Sequence, residues 1–212
     1  MQNPVMTNPE IHFYKNDLPE GLEFKDAIAV DCEAMGLQVG RDRLCLVQLS
    51  GGDGVCHLVQ IALGQTEAPN LKKLFEDESI VKIFHFARFD VMSLKANLGI
   101  RVNPVFCTKI ASKIARTYTD RHGYKDVCRE LVGIDISKEQ QSSDWGKEDL
   151  SKEQLVYAAT DVLYLHKVRE KLMEMLAREG RFEMAQSCFD FLHTRTDLDI
   201  LGWAEYDIFA HK

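Results

Sequence analysis

"AIAVDCEAMGL", residues Ala27 to Leu37, decides how the rest of the chain is read. Four residues suited to a strand lead in and a glycine follows the acids, so the segment reads as a buried strand whose last side chains emerge where the sheet ends. Side chains two apart on a strand share a face, which sets the carboxylates of Asp31 and Glu33 side by side. Two like charges that close make each other's ionisation costly unless a cation sits between them. The stretch therefore asks for a metal.

The surrounding chain narrows the class. Its 212 residues are enough for one domain with a proper core, residues 1–212, and its net charge is −7. That acidity argues against a protein living on bulk nucleic-acid charge, yet it leaves room for a short nucleic acid, because carboxylates loaded with divalent ions are no longer negative where it matters. Six cysteines (Cys32, Cys45, Cys56, Cys107, Cys128 and Cys188) are scattered without a Cys-x-x-Cys pair. That is neither a zinc framework nor a secreted disulfide pattern, and reduced thiols are expected. The opening "MQNPVMTNPE" has no positive region followed by an apolar run, and no apolar stretch reaches membrane-spanning length. The expectation is a cytoplasmic protein that does not engage membranes.

Outward from the first strand, "RLCLVQLSGGDGVCHLVQI" reads as a hairpin around a glycine-rich turn. "APNLKKLFEDES" is a short helix, "IVKIFHF" an apolar strand, and "ARFDVMSLKANLG" a helix with a glycine stop. "VNPVFCT" is another short strand, and "KIASKIARTY" and "YKDVCRELVG" are two further helices. From Ser151 to about Gly180 the pattern predicts one long helix. Ser151 with Gln154 opens it as a capping box, and Leu155, Ala158, Ala159, Val162, Leu165 and Val168 form its apolar stripe. "RFEMAQSCFDFLHTR" fits a last helix, and the tail "LDILGWAEYDIFAHK" is too apolar for a free terminus. With no repeat, low-complexity tract or linker, one α/β domain is the economical reading.

Two more acids fall where they could join the first pair. Asp90, in "HFARFD", lies in the first turn of the helix after strand "IVKIFHF", where the bland alternative is that it favours the helix dipole. Tyr157 and Asp161, in "YAATD", stand four apart and point off the same side of the long helix. A tyrosine in an apolar stripe is ordinary core, but a lone buried carboxylate is costly, so Asp161 needs a partner. A metal shared with Asp31 and Glu33 would supply one.

"DCEAMGL", "HFARFD" and "YAATD" together resemble the three motifs of the DEDDy-type 3′-5′ exonucleases of the ribonuclease D-like group. "TKIASKIARTYTDRHG", "SKEQQSSDW" and "LGWAEYDIFAH" resemble, within that group, the short nanoRNase C proteins, and the likeness runs over nearly the whole chain. The resemblance implies a ribonuclease H-like α/β fold with a central mixed sheet flanked by helices, exoribonuclease activity on dinucleotides, and an octameric ring. The C-terminal helix and tail, about residues 181–212, would then make oligomer contacts. Longer ribonuclease D proteins carry extra helical nucleic-acid-binding domains, and by the closer resemblance the expectation is a protein that works without them.

Phosphodiester cleavage sets the roles. Hard oxygen ligands suit Mg²⁺ or Mn²⁺ and disfavour zinc, and two ions about 4 Å apart activate a water and stabilise the departing 3′ oxygen. Asp31 is expected to bridge the ions, with Glu33 and Asp161 completing one site and Asp90 serving the other. Tyr157, whose phenol is a poor base at neutral pH, would orient the attacking water. By the resemblance, Met35, Gly36 and Leu37 face the substrate, with Leu37 a wedge between two bases; an ordinary turn leucine is the plain alternative. His85 is either a satisfied strand-end residue or a phosphate or ribose contact. Gln141, Ser142 and Trp145 lie in a polar loop where amide or hydroxyl could reach a 2′-OH and the indole could stack or buttress. From Lys109 to Arg129 six basic residues face two acidic ones, fitting either a phosphate-binding patch or two solvated helix faces. The competing functions are a general exonuclease trimming longer RNA or DNA, a non-catalytic nucleic-acid-binding module, and an aspartyl-nucleophile hydrolase; the last would need neither Tyr157 nor Asp161.

Overall fold

A computed structural model describes residues 9–211 except 39, 137–139 and 141. The chain builds β1 (Glu10–Lys15), β2 (Ala27–Ala34), β3 (Leu44–Ser50), β4 (Val55–Gln60), α1 (Pro69–Phe75), β5 (Val81–Phe84), α2 (Ala87–Leu98), β6 (Val105–Cys107), α3 (Thr108–Ala115), α4 (Tyr124–Leu131), α5 (Lys152–Leu163), α6 (Leu165–Arg178) and α7 (Phe182–Leu198). A π-helical turn, Asp199–Trp203, follows. No helix among the described residues is long and apolar enough to cross a membrane.

The strands form one mixed sheet in the order β1-β4-β3-β2-β5-β6. β2 lies inside it, antiparallel to β3 and parallel to β5, so the chain's first acidic motif stands at the carboxyl end of an internal strand. Burial explains why "AIAV" is purely apolar: Ile28, Ala29 and Val30 are fully enclosed, as internal strands covered on both faces must be. The β2–β3 register slips between Glu33 and Ala34, a bulge that ends the pairing just past the second acid.

Two features depart from the sequence reading. The strand β1 lies at the sheet edge, pairing in parallel with β4, its "EIHFYK" mostly exposed. The single helix expected from Ser151 to Gly180 is instead two, broken at Tyr164, whose φ of −108° and ψ of −2° leave the helical path. Packing explains the break: α5 lies across β2, β3 and β4, whereas α6 turns to pack on α3 and β5. The start is as expected, with Ser151 accepting from the Gln154 N–H and the Gln154 amide reaching back to the Ser151 N–H.

The C-terminal turn is tied to the body through Asp199. Arg88 at the start of α2 grips both its carboxylate oxygens, at 2.7 and 2.8 Å, and Arg195 of α7 approaches from the other side. Beyond this anchor Leu201, Trp203, Tyr206, Ile208 and Phe209 are exposed.

Candidate active site

The site forms where β2 ends beneath α5. Carboxylate oxygens of Asp31, Glu33 and Asp161 all lie within 4.8 Å of one another. The strand's two-residue period brings Asp31 and Glu33 to one face, and α5, crossing that face, lowers Asp161 between them. Asp90 comes from the first turn of α2, where it is 2 % exposed and held by the thiol and backbone N–H of Cys32. It stands beside the trio rather than within it. The tight entry to α2 is made by Phe86, a non-glycine residue at φ 73°. Lys109 covers its ring from 4.3 Å, which helps hold a backbone that most side chains avoid.

Electrostatics follow from this crowding. Burial raises all four carboxyls above the usual range, Glu33 to about 9, Asp90 to about 8, Asp161 to about 7 and Asp31 well up, and repulsion from the neighbouring acids adds to the rise at Asp31, Glu33 and Asp90. Four carboxyls in protein surroundings cannot all ionise without a counter-charge. Among the described residues, no basic side chain contributes to these shifts. The donors are all oxygen, the set that hard divalent cations such as Mg²⁺ or Mn²⁺ take, and the residues fit such a group.

Tyr157 lies one turn before Asp161 on α5 and its hydroxyl donates to that carboxylate. Burial and the neighbouring acids push its ionisation far up, so the phenol keeps its proton and acts only as a donor or acceptor. Trp145, 2 % exposed, sets its ring 6.1 Å from that of Tyr157. An indole so enclosed offers little open surface and stands against the Tyr157 ring. Its loop is pinned to the sheet: Arg43 donates to the carbonyls of Gly146 and Ile61, Gln60 to those of Lys147 and Glu148, and Gln154 to that of Asp144.

Leu37 stands out at 78 % exposure on a loop shaped by Asp42, which accepts from the Gln38 N–H at 2.9 Å. A Cβ on Gly36 would come within 2.3 Å of that carboxylate, so the glycine is what lets Asp42 fold under the loop. The Met35 sulfur lies 2.5 Å from where a Cβ on Gly146 would stand, which couples the Leu37 loop to the Trp145 loop. Arg43, Asp42 and Gly146 carry no motif signal and were not among the residues singled out in sequence.

Of the remaining substrate candidates, His85 is half-buried with its Nδ1 2.9 Å from the Thr108 hydroxyl. Thr108 spends its proton on the Phe84 carbonyl, so His85 must donate through Nδ1–H. Ser142 is exposed in its loop, and Gln141 lies outside the described residues. The Lys109–Arg129 stretch is not uniform. Arg116 is fully buried, paired with Glu130 and donating to Ser112 and the Arg121 carbonyl, so it belongs to the core, and Arg129 pairs with Asp126. Lys113 and Arg121 are exposed.

Comparison with known proteins agrees with this fold. The family model for 3′-5′ exonucleases matches residues 8–177. Ribonuclease D of Gluconacetobacter diazotrophicus is 36 % identical over 168 residues, 79 % of this chain but 42 % of that protein. The chain thus spans about two-fifths the length of the curated relatives it matches. Among solved structures, Brucella melitensis NrnC is 56 % identical with a TM-score of 0.93, covering 96 % of this chain and 99 % of that one. The same protein has been solved with bound Mg²⁺ and bound to pGG. Escherichia coli RNase D, an exoribonuclease involved in structured RNA processing, is 27 % identical with a TM-score of 0.73, over 81 % of this chain and 45 % of that one. The mixed sheet and flanking helices are those of the ribonuclease H-like exonuclease domain, and the chain belongs to the 3′-5′ exonuclease family that includes ribonuclease D and NrnC.

Proposed function

We propose that the protein is a metal-dependent 3′-5′ exoribonuclease that hydrolyses very short RNAs, chiefly dinucleotides, to 5′-mononucleotides. The observation that carries the reading is the trio Asp31, Glu33 and Asp161, within 4.8 Å, with the Tyr157 hydroxyl on Asp161. Asp31, Glu33 and Asp161 would hold one divalent ion and Asp31 with Asp90 a second, either Mg²⁺ or Mn²⁺. When bound, such ions supply the positive charge that phosphodiester hydrolysis needs at the scissile phosphate. Tyr157, proton retained and ring braced by Trp145, orients the attacking water rather than deprotonating it. Leu37, presented on the Asp42-braced loop, caps the bases, with Met35 and Gly36 lining the same approach.

Preference for dinucleotides is supported by the pGG bound to the Brucella relative and by charge. A chain of net −7 has little with which to hold a long polyanion, whereas a small pocket can satisfy the few phosphates of a dinucleotide. Of the basic stretch, exposed Lys113 and Arg121 are the candidates for a 5′ phosphate. We read residues 1–212 as one exonuclease domain whose tail, with exposed Trp203, Ile208 and Phe209, packs against other subunits of an octameric ring. The six free cysteines favour a reducing, cytoplasmic setting.

The test is digestion of 5′-labelled RNAs of two, three and seven nucleotides with and without chelator. Metal-dependent release of 5′-mononucleotides, with kcat/KM falling steeply from the two-mer to the seven-mer, is expected. Length-independent turnover would replace this reading with a general trimming exonuclease, and turnover unaffected by chelator would overturn the metal assignment. Removing the dinucleotide's 5′ phosphate should cost about 1.5–3 kcal/mol in kcat/KM, the scale of a lost charged hydrogen bond.

A further inference from the structure

Gln48 of β3 is fully enclosed, and neither its amide nitrogen nor its amide oxygen has a hydrogen-bond partner among the described residues. A buried amide left unpaired is a cost that an apolar side chain of the same size would not incur. Its surroundings make the choice stranger. Leu58 of β4 stands directly opposite, and Leu46, Leu58, Ala158 and Trp145 form a small apolar cluster on this side of the sheet. Leucine or methionine would suit the place.

The exception among its neighbours is Asp31. In the β2–β3 ladder, Asp31 and Gln48 are direct cross-strand partners, and such partners point to the same face with their Cβ atoms about 5 Å apart. That face is the one α5 covers, as the Cys56 thiol donating to the Ala159 carbonyl from the neighbouring strand β4 shows. The next polar residue along β3 on the same face, Ser50, is already engaged, donating to Val55 and accepting from Gly52. Of the two residues directly opposite Gln48, Leu58 on β4 and Asp31 on β2, it is the Asp31 carboxylate that can accept a hydrogen bond.

We propose that Gln48 is a positioning residue for Asp31. Its amide N–H would donate to the Asp31 carboxylate and fix the plane in which that carboxylate meets the divalent ions it would hold. Hydrogen bonds of this kind, from outside the ligand set, commonly decide the affinity of a metal centre. The buried amide, unpaired among the described residues, would find its partner in the carboxylate that the β2–β3 register sets opposite it. The inference rests on the metal-dependent reading above and assigns to it a residue outside its motifs.

Gln48→Met and Gln48→Leu test it, compared with wild type by Mn²⁺ calorimetry, by melting in chelator, and by kcat and KM as functions of Mn²⁺ concentration. Both variants should melt in chelator at or above the wild-type temperature, since an unpaired amide has been removed. Their Mn²⁺ affinity should fall about 10-fold to 100-fold, with saturating Mn²⁺ restoring most of kcat and KM for substrate little changed. Mn²⁺ affinity within twofold of wild type would overturn the proposal, and failure of both variants to fold would assign the amide to the core instead. A wild-type protein that binds no Mn²⁺ would remove the metal reading and the proposal with it, a result distinct from either.

Discussion

Asp161→Asn separates the electrostatic account of the site from its catalytic one. The change preserves the shape of the side chain and an oxygen for the Tyr157 hydroxyl, and it removes one negative charge. In protein stripped of divalent ions, burial raises the Asp161 carboxyl from 3.8 to about 7. A folded-state value above the unfolded one means that the folded protein keeps a proton the unfolded chain releases. The stability this confers is complete below about pH 4 and is lost as pH rises through about 7. The displacement from 3.8 to about 7 sets a ceiling of about 4 kcal/mol of destabilisation at pH 8. Asp31 and Glu33 share the same crowding and stay behind in the variant, so the relief should be about 1–2 kcal/mol, roughly 2–6 °C in Tm for a chain of this size. Differential scanning calorimetry in chelator at pH 5 and pH 8 reads it directly. The variant should melt above wild type at pH 8 and by less than half that margin at pH 5, should gain far less Tm from added Mn²⁺, and should have lost nearly all turnover. A variant that melts at or below wild type at pH 8, or that gains as much from Mn²⁺, would refute the carboxylate repulsion and its relief by a cation.

Tyr157→Phe should leave Mn²⁺ affinity intact and lower kcat by about 10²–10³, because a water-orienting hydroxyl is lost while the ring still rests on Trp145; a raised KM with unchanged kcat would make Tyr157 a binding residue. Gly36→Ala drives a methyl into the Asp42 carboxylate and so displaces the loop under Leu37. KM for a dinucleotide should rise about tenfold at unchanged Mn²⁺ affinity, as expected for lost uniform binding, and an unchanged KM would return Leu37 to an ordinary turn residue. Ser151→Ala removes one half of the capping box and should cost about 1 kcal/mol in chemical denaturation; no loss would show that packing against the sheet alone sets the start of α5.

Much of this was legible because the site's chemistry is written in local patterns. The period of two in β2 and the period of 3.6 in α5 each place a pair of functional side chains, and both pairs stand where the sequence puts them. What escaped is decided by contacts distant in sequence. β1 alternates weakly because it is an edge strand with mostly exposed side chains, and only its parallel pairing with β4 makes it a strand at all. The break at Tyr164 carries no glycine or proline, and the apolar stripe runs straight across it through Leu165 and Val168, so periodicity reads one helix. Two different surfaces claim the two halves, and the backbone yields between them.

The same reasoning explains why the basic stretch could not be resolved residue by residue from charge alone. Charge in a sequence says nothing about which guanidinium is buried, and Arg116, counted there with the others, spends its donors on Glu130, Ser112 and the Arg121 carbonyl. It locks α3 to α4 instead of reaching for phosphate. Gln48 is the converse case: in "LCLVQLS" it reads as one polar residue in an otherwise apolar strand, and no spacing rule connects it to the acids. Only the register of β3 on β2 sets it against Asp31. Side chains that supply charge to this site are visible as motifs, whereas those that hold the charge in place are visible only once the strands are paired. A search for further positioning residues in this family should therefore start from the cross-strand partners of its acids rather than from their sequence neighbours.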